Sequence, residues 1–249
     1  TIAKAFAEKM SLNENAMDSP VLPDSSSGKR LGGWRVQRKH VLKILQGLNQ
    51  HKSVNGVSPR VLKECATVLT DPLTNLFKRL AREAKIPADW KVSRVTPLHK
   101  KDSVKDPKNY RPVSVLPNIA VVFERVLDAQ FDRFVRDHIP GSQFGFLKGC
   151  GTDDYGACLS MTLNQVLERR QEALVVSLDV KGAFDKVWWR GLLEHLRSIG
   201  VRGRALRLMQ NYLSDRFLVV VAAGEQSSKH RISSGVPQGA IWSPKLWNL

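Results

Sequence analysis

Asp179 stands at the end of an apolar run, Leu174 to Leu178, and a Gly182-Ala183-Phe184-Asp185 turn follows it. A carboxylate carried by a buried strand to the edge of a sheet is held rigidly enough to bind a hard cation such as Mg²⁺. An Asp in that place also suits the cap of a helix starting near Ala183. Cations stand elsewhere: Lys100, Lys101, Lys105 and Lys108 cluster in one loop, and Arg111 follows it. The planar fork of Arg and the compact charge of Lys suit a triphosphate, and the same lysines suit an exposed loop kept soluble. Gln238 lies in a Gly-Val-Pro-Gln-Gly run that leads into an expected helix, beside backbone N–H groups that favour an anion or a nucleotide. As a bare pentapeptide the run also reads as a plain turn. Three glycines within 143–152 let the backbone approach a ligand closely, a weak signal by itself.

Several elements must position these groups. The run 174–178 reads as a buried strand. Residues 91–98 and 111–116 read as two strands of a hairpin with 99–109 at its tip. A long helix is expected over 118–136, with Ile119, Val122, Val126, Leu127, Phe131 and Phe134 on its buried face. Before the hairpin, helices are expected from Val41 to Leu48, after Ser58-Pro59, and from an Asp71 cap with Pro72 at the first position to about Ala84. Residues 1–10 suit a short helix, and 18–33 read as a linker. Further helices are expected over 153–172, with Leu159, Leu163, Val166 and Leu167 buried, and over 192–199 and 204–213. A closing hairpin is expected from 217–223 and 229–233.

The chain has 249 residues, of which 42% are apolar, enough for a sizeable core. Its formal net charge is +16; residues 1–28 carry −2, leaving +18 on the remainder. Between residues 29 and 63 there are nine Lys or Arg and no Asp or Glu. That excess points to a polyanionic partner, most simply nucleic acid. A membrane is not expected, since there is no apolar run of about 18 residues. The three cysteines form no CxxC pair and have no suitably spaced histidines, which argues against zinc and a disulfide framework.

The order of the pieces carries a resemblance. Asn109-Tyr110-Arg111-Pro112 with Val113-Ser114, then Gln143-Phe144-Gly145-Phe146, then Asp179 with Ala183-Phe184-Asp185, then Gly235-Val236-Pro237-Gln238-Gly239 with Ser243-Pro244, resemble the reverse transcriptase domain of non-LTR (LINE-like) retrotransposons. The likeness covers about 35–249 and includes Trp90-Lys91 and Pro97-Leu98-His99-Lys100-Lys101. It implies an α+β fold with the fingers and a partial, incomplete palm sheet of a right-hand polymerase. The segments would be an N-terminal extension over 1–33, a helical region and fingers over 34–160, and palm over 161–249. It also implies RNA-directed DNA polymerase activity by two-metal nucleotidyl transfer onto a primer 3′-OH, the Mg²⁺ ions standing about 3.5–4 Å apart.

By this resemblance Asp179 is the catalytic metal-binding aspartate, and Val180 lends a backbone carbonyl to the metal. Lys100 and Arg111 hold the triphosphate, Phe184 excludes a ribose 2′-OH, and Gln238 lines the nucleotide pocket. Asp185 and Gly239 are structural, and Lys148 is a weak template contact, because Leu147-Lys148 and Cys150-Gly151 depart from the family's usual basic pattern. Partners would be an RNA template, a DNA primer and deoxynucleoside triphosphates, and the setting intracellular, in the nucleus at the site of integration. The family's second metal-binding motif, Tyr-x-Asp-Asp, does not occur in the sequence. The chain is therefore expected to be a fragment cut before that motif, inactive alone, with an open apolar sheet edge at 175–178. The alternatives are a non-catalytic, basic RNA-binding remnant or domesticated protein, and an intron-encoded reverse transcriptase with maturase activity.

Overall fold

In a computed structural model the structure describes residues 1–12, 28–51 and 55–249. Helices come first: α1 (Ile2–Lys9), α2 (Arg38–Gln46), α3 (Pro59–Glu64) and α4 (Ala66–Glu83). The hairpin β1 (Val92–His99) and β2 (Tyr110–Val115) leads into α5 (Asn118–Arg136) and α6 (Thr152–Glu168). Helices α7 (Trp189–Ser198) and α8 (Gly203–Leu213), strands β3 (Phe217–Ala222), β4 (Glu225–Gln226) and β5 (His230–Arg231), and the short α9 (Ser243–Trp247) complete the chain.

Helix α5 forms where periodicity places it. Val122, Phe123, Val126, Leu127, Phe131, Phe134 and Val135 recur every three to four residues, and all are buried. Around them gathers the main core, with Val41 and Leu45 of α2, Phe77 of α4, Leu196 of α7, and Leu208 and Met209 of α8. Phe77, Trp90 and Phe123 meet at centroid distances of 5.3–6.5 Å, in tilted or edge-on geometries that suit the ring quadrupoles.

The mixed sheet runs β2-β1-β3-β4, with β5 also on β3. Strands β1 and β2 are antiparallel in the register Arg94↔Val115 to His99↔Tyr110, as the hairpin reading requires. The pairing of β1 with β3 is parallel, Val92↔Phe217 to Val95↔Val220, and joins segments more than 120 residues apart. Local pattern gives no notice of it. A second core lies on this sheet: Ala3, Phe6 and Met10 of the α1 segment pack on Val95, Leu218, Val220 and Ile232.

Several expectations are corrected. Helix α4 does not start at an Asp71 cap; it begins at Ala66 and runs through Pro72. The proline removes only the N–H that would reach Val68, which lies on a face open to water, 77% exposed. Asp71 instead receives the Arg38 guanidinium in a fork, with contacts of 2.7 and 3.2 Å. Helix α6 has no buried residue: Leu159, Leu163 and Val166 are half-buried and Leu167 is exposed.

The run 174–178 is not a buried strand. It pairs with nothing among the described residues and is exposed, Leu174 at 90% and Leu178 at 88%. An apolar run becomes a strand only where a neighbour takes its N–H and C=O groups. The sheet edge expected to stand open there is not formed. The amides of 174–180 accordingly should exchange with solvent deuterons almost unprotected while those of α5 stay protected, which hydrogen-exchange mass spectrometry reads directly.

Of the linker read at 18–33, residues 18–27 lie outside the described residues. Residues 28–33 are docked: Leu31 is buried and bridges Val201 in parallel. No described helix is long and apolar enough to cross a membrane.

Candidate active site

Parts of all four motifs, Asp179 excepted, meet in one place, and the bonds that join them are mostly to backbone. The chain turns through Ala183–Lys186 as a single 3₁₀ turn, entered by Gly182 in the left-handed region at φ +69°. Its carbonyls then receive the Gly235 segment: Val236 N–H donates to Phe184 O at 2.8 Å, Gly235 N–H to Val187 O at 2.9 Å, and Ser234 Oγ to Asp185 O at 3.1 Å. The Trp189 indole N–H closes the far side on Gly235 O at 2.7 Å. Gln238 Nε2 donates to Asp185 Oδ1 at 2.6 Å, a short charge-assisted bond.

The same segment is tied to the hairpin. Ser114 N–H of β2 donates to Gln238 O at 3.0 Å. Gly239, at φ +122°, sits so close to Ser114 that a Cβ would stand 2.8 Å from its carbonyl oxygen. The loop at 143–146 arrives by two routes. Phe146 meets Phe184 edge-on at 5.7 Å, and Gln143 Nε2 donates to Asn248 Oδ1 at 3.0 Å while Asn248 Nδ2 donates to Gly145 O at 2.9 Å. Trp247 flanks Phe184 on another side at 6.0 Å.

Asp185 is buried. Burial raises its pKa, opposed by the hydrogen bond from Gln238 and by the charge of Lys9. Lys9 is also held, Nζ lying 3.4 Å from both Lys108 O and Tyr110 O, and burial lowers its pKa although Asp185 opposes this. Met10 O accepts from Ser233 and Ser234 N–H, so α1 pins the hairpin and the Gly235 segment together. Lys9, Ser114, Ser234 and Trp189 carry bonds that sequence reading did not assign. Ser114 stood within a quoted motif, and the other three gave no signal.

Gln238 is not at a helix entrance as expected. It lies in a turn, and α9 begins at Ser243; Pro237 O is taken by Ser243 Oγ at 2.8 Å, which ties the turn to the first residue of α9. Lys100 and Arg111 are exposed at the outer end of the hairpin, where Lys100 N–H donates to Asn109 O at 2.9 Å and Arg111 pairs with Leu98. Lys148 is exposed in its loop. Asp179 and Val180 belong to the exposed 174–180 segment, which forms no strand, so Asp179 is not at a strand end. Among the described residues no three His, Cys, Asp or Glu side chains gather as a metal cluster.

The family model described as reverse transcriptase (RNA-dependent DNA polymerase) matches residues 98–249, the part of the chain in which the four motifs converge. The chain belongs to the reverse transcriptase family. Its relatives are proteins of non-LTR elements. A probable RNA-directed DNA polymerase from transposon BS of Drosophila melanogaster is 24% identical over 86% of the chain and 24% of its own length. A probable RNA-directed DNA polymerase from transposon X-element of the same fly is 30% identical over 71% of the chain and 20% of its own length. The RNA-directed DNA polymerase from mobile element jockey is 28% identical over 71% and 20%. The chain thus spans about a quarter or less of the length of these relatives. As in reverse transcriptases generally, a divalent metal belongs to the chemistry. The described residues do not fit a two-ion centre, because Asp179 is a single exposed carboxylate and Asp185 is engaged by Gln238.

Proposed function

We propose that this chain carries the nucleotide-facing part of an RNA-directed DNA polymerase, the β1–β2 hairpin serving as fingers and the Asp185–Gln238 turn as the floor of a palm. What supports this best is the convergence of the β2, Phe146, Asp185 and Gln238 segments on one another through backbone bonds, the Gln238–Asp185 side-chain bond and the Phe146–Phe184 ring contact. In this reading Lys100 and Arg111 meet the triphosphate, Phe184 meets the sugar, and Gln238, oriented by Asp185, meets the base or sugar edge. The substrates are deoxynucleoside triphosphates, on an RNA template and a DNA primer held through phosphate and sugar contacts.

A non-catalytic RNA-binding role is the second reading, favoured by the exposed position of Asp179. Equilibrium binding of dTTP with Mg²⁺, measured beside dTTP incorporation on a poly(rA)·oligo(dT) substrate, separates the two. The polymerase reading expects saturable dTTP binding, weakened about tenfold in Gln238→Ala, the loss of roughly one hydrogen bond to the base or sugar. Incorporation, where it occurs, should vanish in Asp179→Ala. Failure to bind dTTP with oligonucleotide binding intact would leave the RNA-binding reading in place.

A further inference from the structure

A separate cleft shares no lining residue with the site above. It has a volume of about 730 Å³ and lies between residues 30–37, α2, α4, α5 and the start of α8. Arg30, Arg35, Lys78, Arg82, Arg133 and Arg204 line it, and no Asp or Glu does. None of these six makes an ion pair among the described residues, although their neighbours do. Lys29 pairs with Asp137 at 2.7 Å, Arg79 with Glu83 at 2.8 Å, and Arg136 with Asp132 at 2.8 Å. The neighbouring carboxylates are thus taken by cations that do not line the cleft, while the six that do are exposed and carry no paired carboxylate. Such a field is relieved by an anion with several charges.

The wall is built rather than incidental. Arg35 N–H donates to Gln130 Oε1 at 2.9 Å, and Gln130 Nε2 lies 3.5 Å from Gly33 O. Across the cleft Leu31 N–H donates to Gly200 O at 3.1 Å, Arg202 N–H to Leu31 O at 2.9 Å, and Arg204 N–H to Gly32 O at 3.1 Å. Trp34 is stacked on Trp242 at 5.6 Å with an interplanar angle of 16°. Two sets of bonds therefore fix the backbone of residues 31–35 between α5 and the α7–α8 turn, and with it the point from which the Arg35 side chain extends.

We propose that this cleft binds the phosphodiester backbone of a single RNA strand as an anchor separate from the nucleotide site. The volume falls in the range of ligand clefts, roughly 300–1,000 Å³, enough for a few nucleotides and too small to enclose a duplex. Cations converging from four elements track a flexible backbone better than a rigid double helix. Binding here needs neither Mg²⁺ nor a triphosphate, so it stands or falls independently of polymerase activity.

The test is fluorescence anisotropy of a labelled oligo(U) of about twelve nucleotides, titrated with the full chain from about 50 to about 200 mM salt. Arg35→Gln with Arg133→Gln should weaken binding about tenfold and reduce the log–log salt slope by roughly 1.4, the contribution of two contacts to a single strand. Both side chains are exposed, and unchanged thermal melting should confirm that the fold is intact. Arg60→Gln with Arg190→Gln removes two exposed cations already paired with Glu64 and Glu194 and should leave the slope near that of the wild type. Equal losses in the two double variants would reduce the cleft to diffuse surface charge and overturn the proposal. It is likewise overturned if the first double variant binds as the wild type does, or if an RNA duplex of the same length competes as well as the single strand.

Discussion

Gly235→Ala should cost about 2–5 kcal/mol of stability, because two separate penalties act on one methyl group. The residue sits at φ +85°, and a Cβ there would stand 2.7 Å from Asp185 O and 2.9 Å from Phe184 O. Both neighbours are backbone atoms of the 3₁₀ turn, held by the bonds from Val236 N–H and Ser234 Oγ, so neither yields cheaply. Gly224 provides the control. Its φ is +83°, but nothing lies within 4 Å of its Cβ position, so Gly224→Ala should show the conformational penalty alone, about 1 kcal/mol. Chemical denaturation of the two variants separates collision from strain. If the methyl group forces the Gly235 segment off the turn, Gln238 also leaves Asp185, and dTTP binding should weaken in Gly235→Ala and not in Gly224→Ala. Equal losses of stability in both would contradict the close packing of the two motifs.

The second large effect belongs to Glu124, a carboxyl buried in α5 beneath the start of α9. Oε2 accepts the Ile241 N–H at 2.7 Å and the Trp242 N–H at 3.3 Å. Burial pushes its pKa up to about 7 from 4.5, against those two bonds and the charge of Arg216. Arg216 is itself buried; it donates to Tyr212 O at 2.9 Å and lies over the Tyr212 ring at 5.0 Å. Between pH 4.5 and about 7 the folded chain keeps a proton on Glu124 that the unfolded chain has released. Stability should therefore fall as pH rises through that window, by on the order of 3 kcal/mol once it is crossed.

Glu124→Gln keeps an acceptor for the two N–H groups and loses the proton, so its melting temperature should no longer carry this slope. Glu124→Ala leaves both donors buried and unpaired and should cost about 3 kcal/mol even at pH 5. Thermal melts of the three proteins from pH 4.5 to 8 decide the matter. A slope that persists in Glu124→Gln would assign it to another group.

Much of the helical frame was legible because its determinants are local. The stripe on α5 repeats at a period only a helix satisfies, and the expected limits, 118–136, are those observed. Ser58 and Pro59 mark the start of α3 in the expected way, the Ser58 hydroxyl accepting from Arg60 N–H at 3.3 Å. The hairpin was legible for a similar reason, since two apolar strands flank a charged tip and their register follows from short-range closure. Pro72 misled because a proline reads as a helix start wherever Asp precedes it. Whether the helix already exists upstream depends on Ala66, Phe77 and their packing against α2 and α5.

The sequence by itself determined which segments are helices, where the cations cluster, and which four motifs belong together; each of these depends on spacing along the chain. The tertiary structure decided what those motifs touch. Asp185 and Gln238 are 53 residues apart, and the 2.6 Å bond between them accompanies the packing of Gly235 on the turn. The run 174–178 shows the converse: its residues have the hydrophobicity of a core strand, yet a strand is a property of a pair. With no partner among the described residues it lies exposed outside any strand, and Asp179 with it. The cation cleft also needed the fold. Arg30, Lys78, Arg133 and Arg204 are scattered along the sequence, and only the docking of residues 31–35 between α5 and α8 sets their charges around one space.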